Sequence, residues 1–209
     1  MALVKRLGPA VEFYKIGLQL FTRCGPPIVE AVKAAVAKVF LDLKFHDIPN
    51  TVRKSVESAC ALGVDLLTIH LSGGGAMIRA AAEGASAGTL VLGVTVLTSS
   101  TSATLQEAGV PGAVEDQVLR LARLGTENGI AGVVASPQEV TLLRQVFGAG
   151  LTIVTPGVRP EWAETNDQQR TLTPKAAIAA GADYLVVGRP ITGQPDPRAA
   201  AERILGELA

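Results

Sequence analysis

The sequence predicts an α/β fold on a parallel sheet: a TIM (β/α)8-type barrel with the first strand missing from this chain, or else an open doubly wound sheet. Three observations predict it. Short apolar runs alternate with helically spaced segments from one end to the other, which is the signature of βαβ units. Hydrophobic residues make up 48% of the 209 positions and aromatics only 4%, so the core is aliphatic, as strands buried on both faces require. Successive units recur at roughly 25–30 residues, close to the mean unit length of an eight-unit barrel.

The chain opens with a short helical piece, Ala2–Leu7, leading into a strand at Val11–Gly17. Further strands follow at Val39–Lys44, Leu66–His70, Leu90–Val96, Gly132–Ser136, Thr152–Gly157 and Tyr184–Gly188. Helical spacing marks Thr51–Leu62, Gly75–Ala85, Val114–Asn128, Gln138–Phe147 and Pro174–Ala180, and Asp196-Pro197 opens a last helix. No linker, charge block or low-complexity tract interrupts the pattern, so residues 1–209 read as one domain. Arg159–Arg170 is polar, lacks periodicity and follows a Pro-Gly turn, which reads as a functional loop. A closed barrel needs eight strands and seven are visible. Either the sheet is open and doubly wound, or a first strand is missing from this chain.

Lys and Arg together number 19, as do Asp and Glu, so no global field recruits nucleic acid or an anionic membrane. Any anionic ligand must be held by a few local cations. Cys24 and Cys60 have neither metal-ligand nor redox spacing, and a reducing cytoplasm is the natural setting. No apolar run approaches the ~20 residues that cross a bilayer, and the N-terminus carries no stretch suited to a signal peptide.

In an α/β barrel, chemistry collects at the carboxyl ends of the strands. Those positions hold Lys15, Asp42, Lys44, Asp47, His70, Thr98, Ser136, Arg159 and Arg189. The sharpest signal is Leu41-Asp42-Leu43-Lys44-Phe45-His46-Asp47-Ile48-Pro49-Asn50. Residues two apart on a strand share a face, so Asp42 and Lys44 both point into the barrel, with Asp47 in the turn beyond. The bland alternative is a salt bridge closing the barrel end, with Asp47 or Asn50 capping the next helix. Val187-Gly188-Arg189-Pro190 supplies a second signal. Gly188 lets a backbone N–H approach a phosphate, Arg189 offers a planar fork, and phosphate sites after the last strands recur in this architecture. A third is Thr155-Pro156-Gly157-Val158-Arg159-Pro160 with Asp167-Gln168 downstream.

Taken together these residues resemble the bacterial orotidine 5'-phosphate decarboxylases over nearly the whole chain. The likeness runs through Phe13-Tyr14-Lys15-Ile16-Gly17, the Asp42–Thr51 block, Ile69-His70 with Gly73 and Gly74, and Val94-Thr95-Val96-Leu97-Thr98-Ser99. It continues through Pro156–Pro160, Asp167-Gln168 and Gly188-Arg189-Pro190. The resemblance implies that Lys15, Asp42 and Lys44 join Asp47 of a neighbouring subunit in an alternating charge network, with Lys44 as proton donor. It also implies that Thr98 lies by the pyrimidine and that Arg159, Gln168 and Arg189 hold the phosphate. Thr51 would reach the ribose across a homodimer interface, and His70 would lie near the site with no firm role. The implied reaction converts orotidine 5'-monophosphate to uridine 5'-monophosphate in pyrimidine biosynthesis. It uses no cofactor and no metal, and its partners are a nucleotide and a second copy of the chain.

Those residue types suit that chemistry. Loss of CO2 from C6 leaves a carbanion that no ring position delocalises. An ammonium at C6 supplies both charge and a proton, and flanking carboxylates keep Lys44 protonated. Family members begin with a strand whose Asp contacts the ribose, and this sequence starts after it. One competing reading is a metal-dependent sugar-phosphate decarboxylase or aldolase, which shares the Asp-x-Lys-x-x-Asp strand but needs a further acidic ligand. No Glu or Asp ends the Val11–Gly17 strand to supply it. Another is a phosphate-binding barrel with impaired catalysis.

Overall fold

The computed structural model describes residues 1–35, 37–163 and 171–208. Its seven strands are β1 (Phe13–Gly17), β2 (Lys38–Phe45), β3 (Leu66–His70), β4 (Leu90–Val94), β5 (Gly132–Val134), β6 (Thr152–Pro156) and β7 (Tyr184–Val186). Each pairs in parallel with the next, in the order β1 to β7. The result is a nearly closed α/β barrel rather than a doubly wound sheet.

Eleven helices among the described residues flank the strands. They are α1 (Ala2–Leu7), α2 (Leu18–Cys24), α3 (Pro27–Lys33), α4 (Pro49–Ala61), α5 (Gly75–Gly84), α6 (Ser102–Glu107), α7 (Val114–Glu127), α8 (Val140–Phe147), α9 (Pro174–Ala179), α10 (Arg189–Thr192) and α11 (Pro197–Leu208). The sequence marked the strands and the longer helices. It did not mark α2, α3, α6 or α10, which have seven, seven, six and four residues, too few for a 3.6-residue period to stand out.

Two aliphatic clusters form the core. One fills the barrel: Phe40, Leu66, Leu92, Val94, Val134 and Val154, with Phe13 and Val186 packed against them. The other lies between the strands and the helical layer and includes Ile16, Leu41, Leu67, Ile69, Leu71 and Ile153. Alternate residues of a strand serve opposite clusters, as the period of two demands. Each fully buried Leu or Ile contributes about 1.5–3 kcal/mol.

Several strands end earlier than the sequence suggested, for local reasons. β5 stops at Val134 because Ser136 turns to cap the next helical segment. Its hydroxyl accepts the Gln138 N–H at 3.4 Å while its own N–H donates to Glu139 Oε2 at 2.8 Å. Ser136, one of the polar groups read at the rim, is thus a helix cap.

β1 and β7 are the two ends of the ladder. An apolar cavity of about 390 Å³ opens between them, lined by Phe13, Phe40, Leu66, Val154, Tyr184 and Val186 and backed by Ile204 and Leu208 of α11. The Phe13 and Tyr184 rings meet edge to face across it at 5.5 Å. β1 and β7 therefore border an opening in the barrel, as seven strands in place of eight would leave.

Candidate active site

β1 and β2 run in register with Gly17 opposite Asp42 and Lys15 opposite Phe40. Lys15 and Asp42 therefore share the inner face at the carboxyl end of the barrel. Asp42 is only 8% exposed, and its carboxylate is shared between two ammonium groups. Lys15 Nζ lies 3.1 Å from Oδ2 and Lys44 Nζ lies 2.7 Å from Oδ1. Two ammoniums against one carboxylate leave the trio with one net positive charge, which suits an anionic ligand. Burial alone would raise the Asp42 pKa. The charges and hydrogen bonds of Lys15 and Lys44 outweigh it, and the carboxyl ends below its ordinary value. A Cβ at Gly17 would sit 3.0 Å from Lys15 Nζ, so the glycine keeps the space that the ammonium occupies.

The route by which Lys44 reaches Asp42 differs from the simple strand expectation. Leu41 pairs with Leu67 and Phe45 with Ile69, so four steps on β2 oppose two on β3. This is a bulge. Within it Lys44 adopts φ 54°, the one positive φ outside glycine among the described residues. For a side chain with a Cβ that conformation costs about 1–2 kcal/mol. The Lys44 N–H donates to Thr68 Oγ1 at 2.9 Å, and the same hydroxyl donates to Asp42 Oδ1 at 3.0 Å. Thr68 is fully buried. It was not singled out from sequence, although a lone hydroxyl in the apolar run Leu66-Leu67-Thr68-Ile69, two residues before His70 on the same face, was the available signal.

His70 closes this face of β3, and its ring lies 5.6 Å from that of His46. Burial, then His46 and Lys44, push the His70 pKa down, and Asp42 only partly opposes them, so the site favours the neutral imidazole. Asp47 stands exposed beyond β2. Its Oδ1 accepts the Ile48 N–H at 2.6 Å, and it makes no ion pair with a lysine of its own chain among the described residues. Thr51 is exposed in the first turn of α4, beside a groove lined by Phe21, Leu43, Phe45 and Lys54.

The remaining rim residues come from the far side of the barrel. Thr98 lies in the turn after β4, half-buried. Arg159 follows β6 and is 8% exposed; its Nη1 donates to the Val158 carbonyl at 2.9 Å, and its backbone N–H to that of Leu172 at 2.9 Å. Gly188 precedes α10, and Arg189 opens it in an exposed position. Asp167 and Gln168 lie outside the described residues, as does the rest of 164–170.

The profile of the Orotidine 5'-phosphate decarboxylase / HUMPS family matches residues 1–204. A protein named orotidine 5'-phosphate decarboxylase from Syntrophotalea carbinolica is 54% identical over 214 residues, covering 99% of this chain and 88% of its own length. One of the same name from Halorhodospira halophila is 52% identical over 211 residues, covering 100% of this chain and 89% of its own. The crystal structure of orotidine 5'-phosphate decarboxylase from Lactobacillus acidophilus superposes with a TM-score of 0.88 at 37% identity, over 99% of this chain and 92% of that one.

Proposed function

Because the chain belongs to the Orotidine 5'-phosphate decarboxylase / HUMPS family, we propose that it decarboxylates orotidine 5'-monophosphate to uridine 5'-monophosphate. The family description covers more than one activity, so the site must choose between them. The observation that carries the choice is Lys15: it stands near the end of β1, where the metal-dependent rival needs a further acid, and its ammonium lies 3.1 Å from the buried Asp42 carboxylate that Lys44 holds at 2.7 Å. The names borne by relatives at 54% and 52% identity support the same choice.

The residues act as follows. Arg159, Gly188 and Arg189 hold the 5'-phosphate at the rim, as would Gln168, and Thr98 lies by the pyrimidine. The C6–carboxylate bond breaks, CO2 departs and the electron pair stays on C6. Lys44 faces that carbon with a fixed positive charge and delivers a proton from Nζ, forming the C6–H bond. The neutral amine then regains a proton from solvent. Asp42 orients Lys44 and crowds the departing carboxylate, while Lys15 keeps Asp42 ionised.

The active unit is a homodimer, with Asp47 and Thr51 serving the partner's site. Two observations support it: Asp47 engages no lysine of its own chain among the described residues, and large apolar residues stand exposed in the segments after β1, β2 and β4. These are Leu18, Leu20, Leu97 and above all Ile48, at 66% exposure, a pattern suited to burial against another surface. Residues 1–209 act as one barrel domain in pyrimidine nucleotide synthesis in the cytoplasm. No helix among the described residues is long and apolar enough to cross a membrane.

The test is direct. The purified chain is given orotidine 5'-monophosphate with and without a chelator, and uridine 5'-monophosphate is quantified by chromatography. Product should form equally in both. No product would overturn the assignment and favour a sugar-phosphate enzyme or a phosphate-binding barrel, and product abolished by the chelator would overturn the metal-free mechanism.

A further inference from the structure

We propose that the Thr68 hydroxyl is a positioning group that fixes Lys44 in its reactive geometry by holding the bulge of β2 closed. The inference rests on the reading of Lys44 as proton donor and adds a residue to it.

Where four residue steps of β2 oppose two of β3, the regular ladder between the strands is interrupted. The side chain of Thr68, midway between Leu67 and Ile69, takes the place of the missing ladder acceptor. It receives the Lys44 N–H at 2.9 Å and passes its own proton to Asp42 Oδ1 at 3.0 Å. That oxygen is also the one held by Lys44 Nζ at 2.7 Å. One hydroxyl therefore ties the backbone of Lys44 to the carboxylate that directs its side chain. The loop of contacts is closed: Lys44 N–H, Thr68 Oγ1, Asp42 Oδ1, Lys44 Nζ.

Three features make this more than packing. Lys44 holds φ 54°, a conformation that a lysine does not keep without an outside restraint. Thr68 is fully buried, where a hydroxyl is tolerated only if its bonds are made. Both of its bonds go to residues of the charged trio, so the hydroxyl has no other structural errand. With the hydroxyl gone, the Lys44 amide loses its acceptor and the bulge is free to rotate. Nζ then samples directions away from C6. Misplacement of a reacting group by about 1 Å costs on the order of 10²-fold in rate.

The experiment compares Thr68→Val, which keeps shape and removes the hydroxyl, with Thr68→Ser, which restores it. Thr68→Val should lower kcat about 10²-fold and leave KM within about threefold, because an interaction made in the transition state alone is lost. Thr68→Ser should stay within about threefold of the parent. Thr68→Val in a Lys44→Ala background should add no further loss, since Thr68 acts through Lys44. A second readout is independent of turnover. The 13Cγ titration midpoint of Asp42, faced by Lys15 from β1, Lys44 from β2 and Thr68 and His70 from β3, should move upward in Thr68→Val as a donor to the ionised form is lost. If Thr68→Val does not fold, Thr68→Cys against Thr68→Ser decides, the thiol being a weak donor of similar size. Thr68→Cys should then fall in kcat where Thr68→Ser does not. An inactive parent with a shifted Asp42 midpoint would sink the decarboxylase reading and keep the latch. An active parent with kcat of Thr68→Val, or of Thr68→Cys in its place, within about threefold would sink the latch.

Discussion

Replacing Lys44 with alanine removes the ammonium at the centre of the proposed chemistry, and the structure fixes what else changes. A unit charge about 4 Å from a developing carbanion is worth about 4 kcal/mol at an effective dielectric of 20, close to 10³-fold in rate. A general acid adds about 10²–10⁴-fold. The Lys44 side chain keeps 27% of its surface exposed, which trims the electrostatic part, and a loss of about 10⁴-fold or more in kcat is expected. Asp42 is not stranded, because Lys15 Nζ remains at 3.1 Å and Thr68 Oγ1 at 3.0 Å. The cost to the fold is one hydrogen bond to a charged group, about 1.5–3 kcal/mol. Binding of uridine 5'-monophosphate, which lacks the departing carboxylate and is held by its phosphate, should weaken less than about tenfold. A companion variant separates chemistry from backbone. Lys44→Gly should be equally inactive, yet melt about 2–4 °C above Lys44→Ala, since glycine relieves about 1 kcal/mol at φ 54°. Single-turnover product formation and thermal melts measure both. A Lys44→Ala protein with a tenth of parent turnover would refute the proton-donor role, and identical melting of the two variants would refute the left-handed geometry.

Three further outcomes are expected. Asp42 holds a folded pKa below its ordinary value, so its ionised contribution to stability is full above the unfolded value of about 4 and disappears as pH falls below it. The gap in urea midpoint between the parent and Asp42→Asn should hold from pH 7 to 5 and shrink by pH 3; a gap unchanged at pH 3 would contradict the ion trio. His70, lowered by burial, His46 and Lys44, should titrate below about 6.5 by NMR, its contribution to stability being full above the unfolded value of about 6.5 and lost as pH falls from there through the folded midpoint; a midpoint above 6.5 would contradict the buried, cation-flanked placement. Mixed Lys44→Ala and Asp47→Ala chains should recover part of the parent activity if sites are shared across a homodimer. Verified mixed dimers without activity would end that assignment.

Much of the fold was legible because each strand is a short aliphatic run, and burial on both faces forces that composition. Leu66–His70 was marked to the residue, while Leu90–Val94 and Gly132–Val134 were read two residues too long. Their tails, Thr95-Val96 and Ala135-Ser136, look like strand but serve turns and caps: Ser136 has both extended dihedrals and a helix to close. The charged trio was legible since Lys15, Asp42 and Lys44 are ionisable groups on otherwise apolar strands, where an unpaired charge is costly. Thr68 escaped because a threonine suits a strand by propensity alone, so a lone hydroxyl in an apolar run is a weak signal beside its burial and partners. The bulge escaped for a harder reason. Positive φ is signalled in sequence by Gly, Asn or Asp, and nothing about a lysine announces it.

That illegible bulge also explains why the trio can form. On a regular strand, residues 42 and 44 would stand about 6.6 Å apart on one face, with a long lysine side chain running past the rim toward solvent. Rotating Lys44 into the left-handed region turns its stem back, so that Nζ meets Asp42 Oδ1 at 2.7 Å while Lys15 closes on the other oxygen. The distortion costs about 1–2 kcal/mol, and the fold offsets it next door. Leu41, immediately before the bulge, is fully buried, and one such side chain contributes about 1.5–3 kcal/mol. Phe45, just after it, packs against the same cluster. The distortion is thus pinned between two anchored apolar residues, and it cannot relax by sliding the strand. A one-residue slip would carry Leu41 off its cluster and turn Asp42 away from the barrel. The register that buries the core is the register that holds the ammonium in place, which puts the proposed proton donor on the rigid scaffold rather than on a loop.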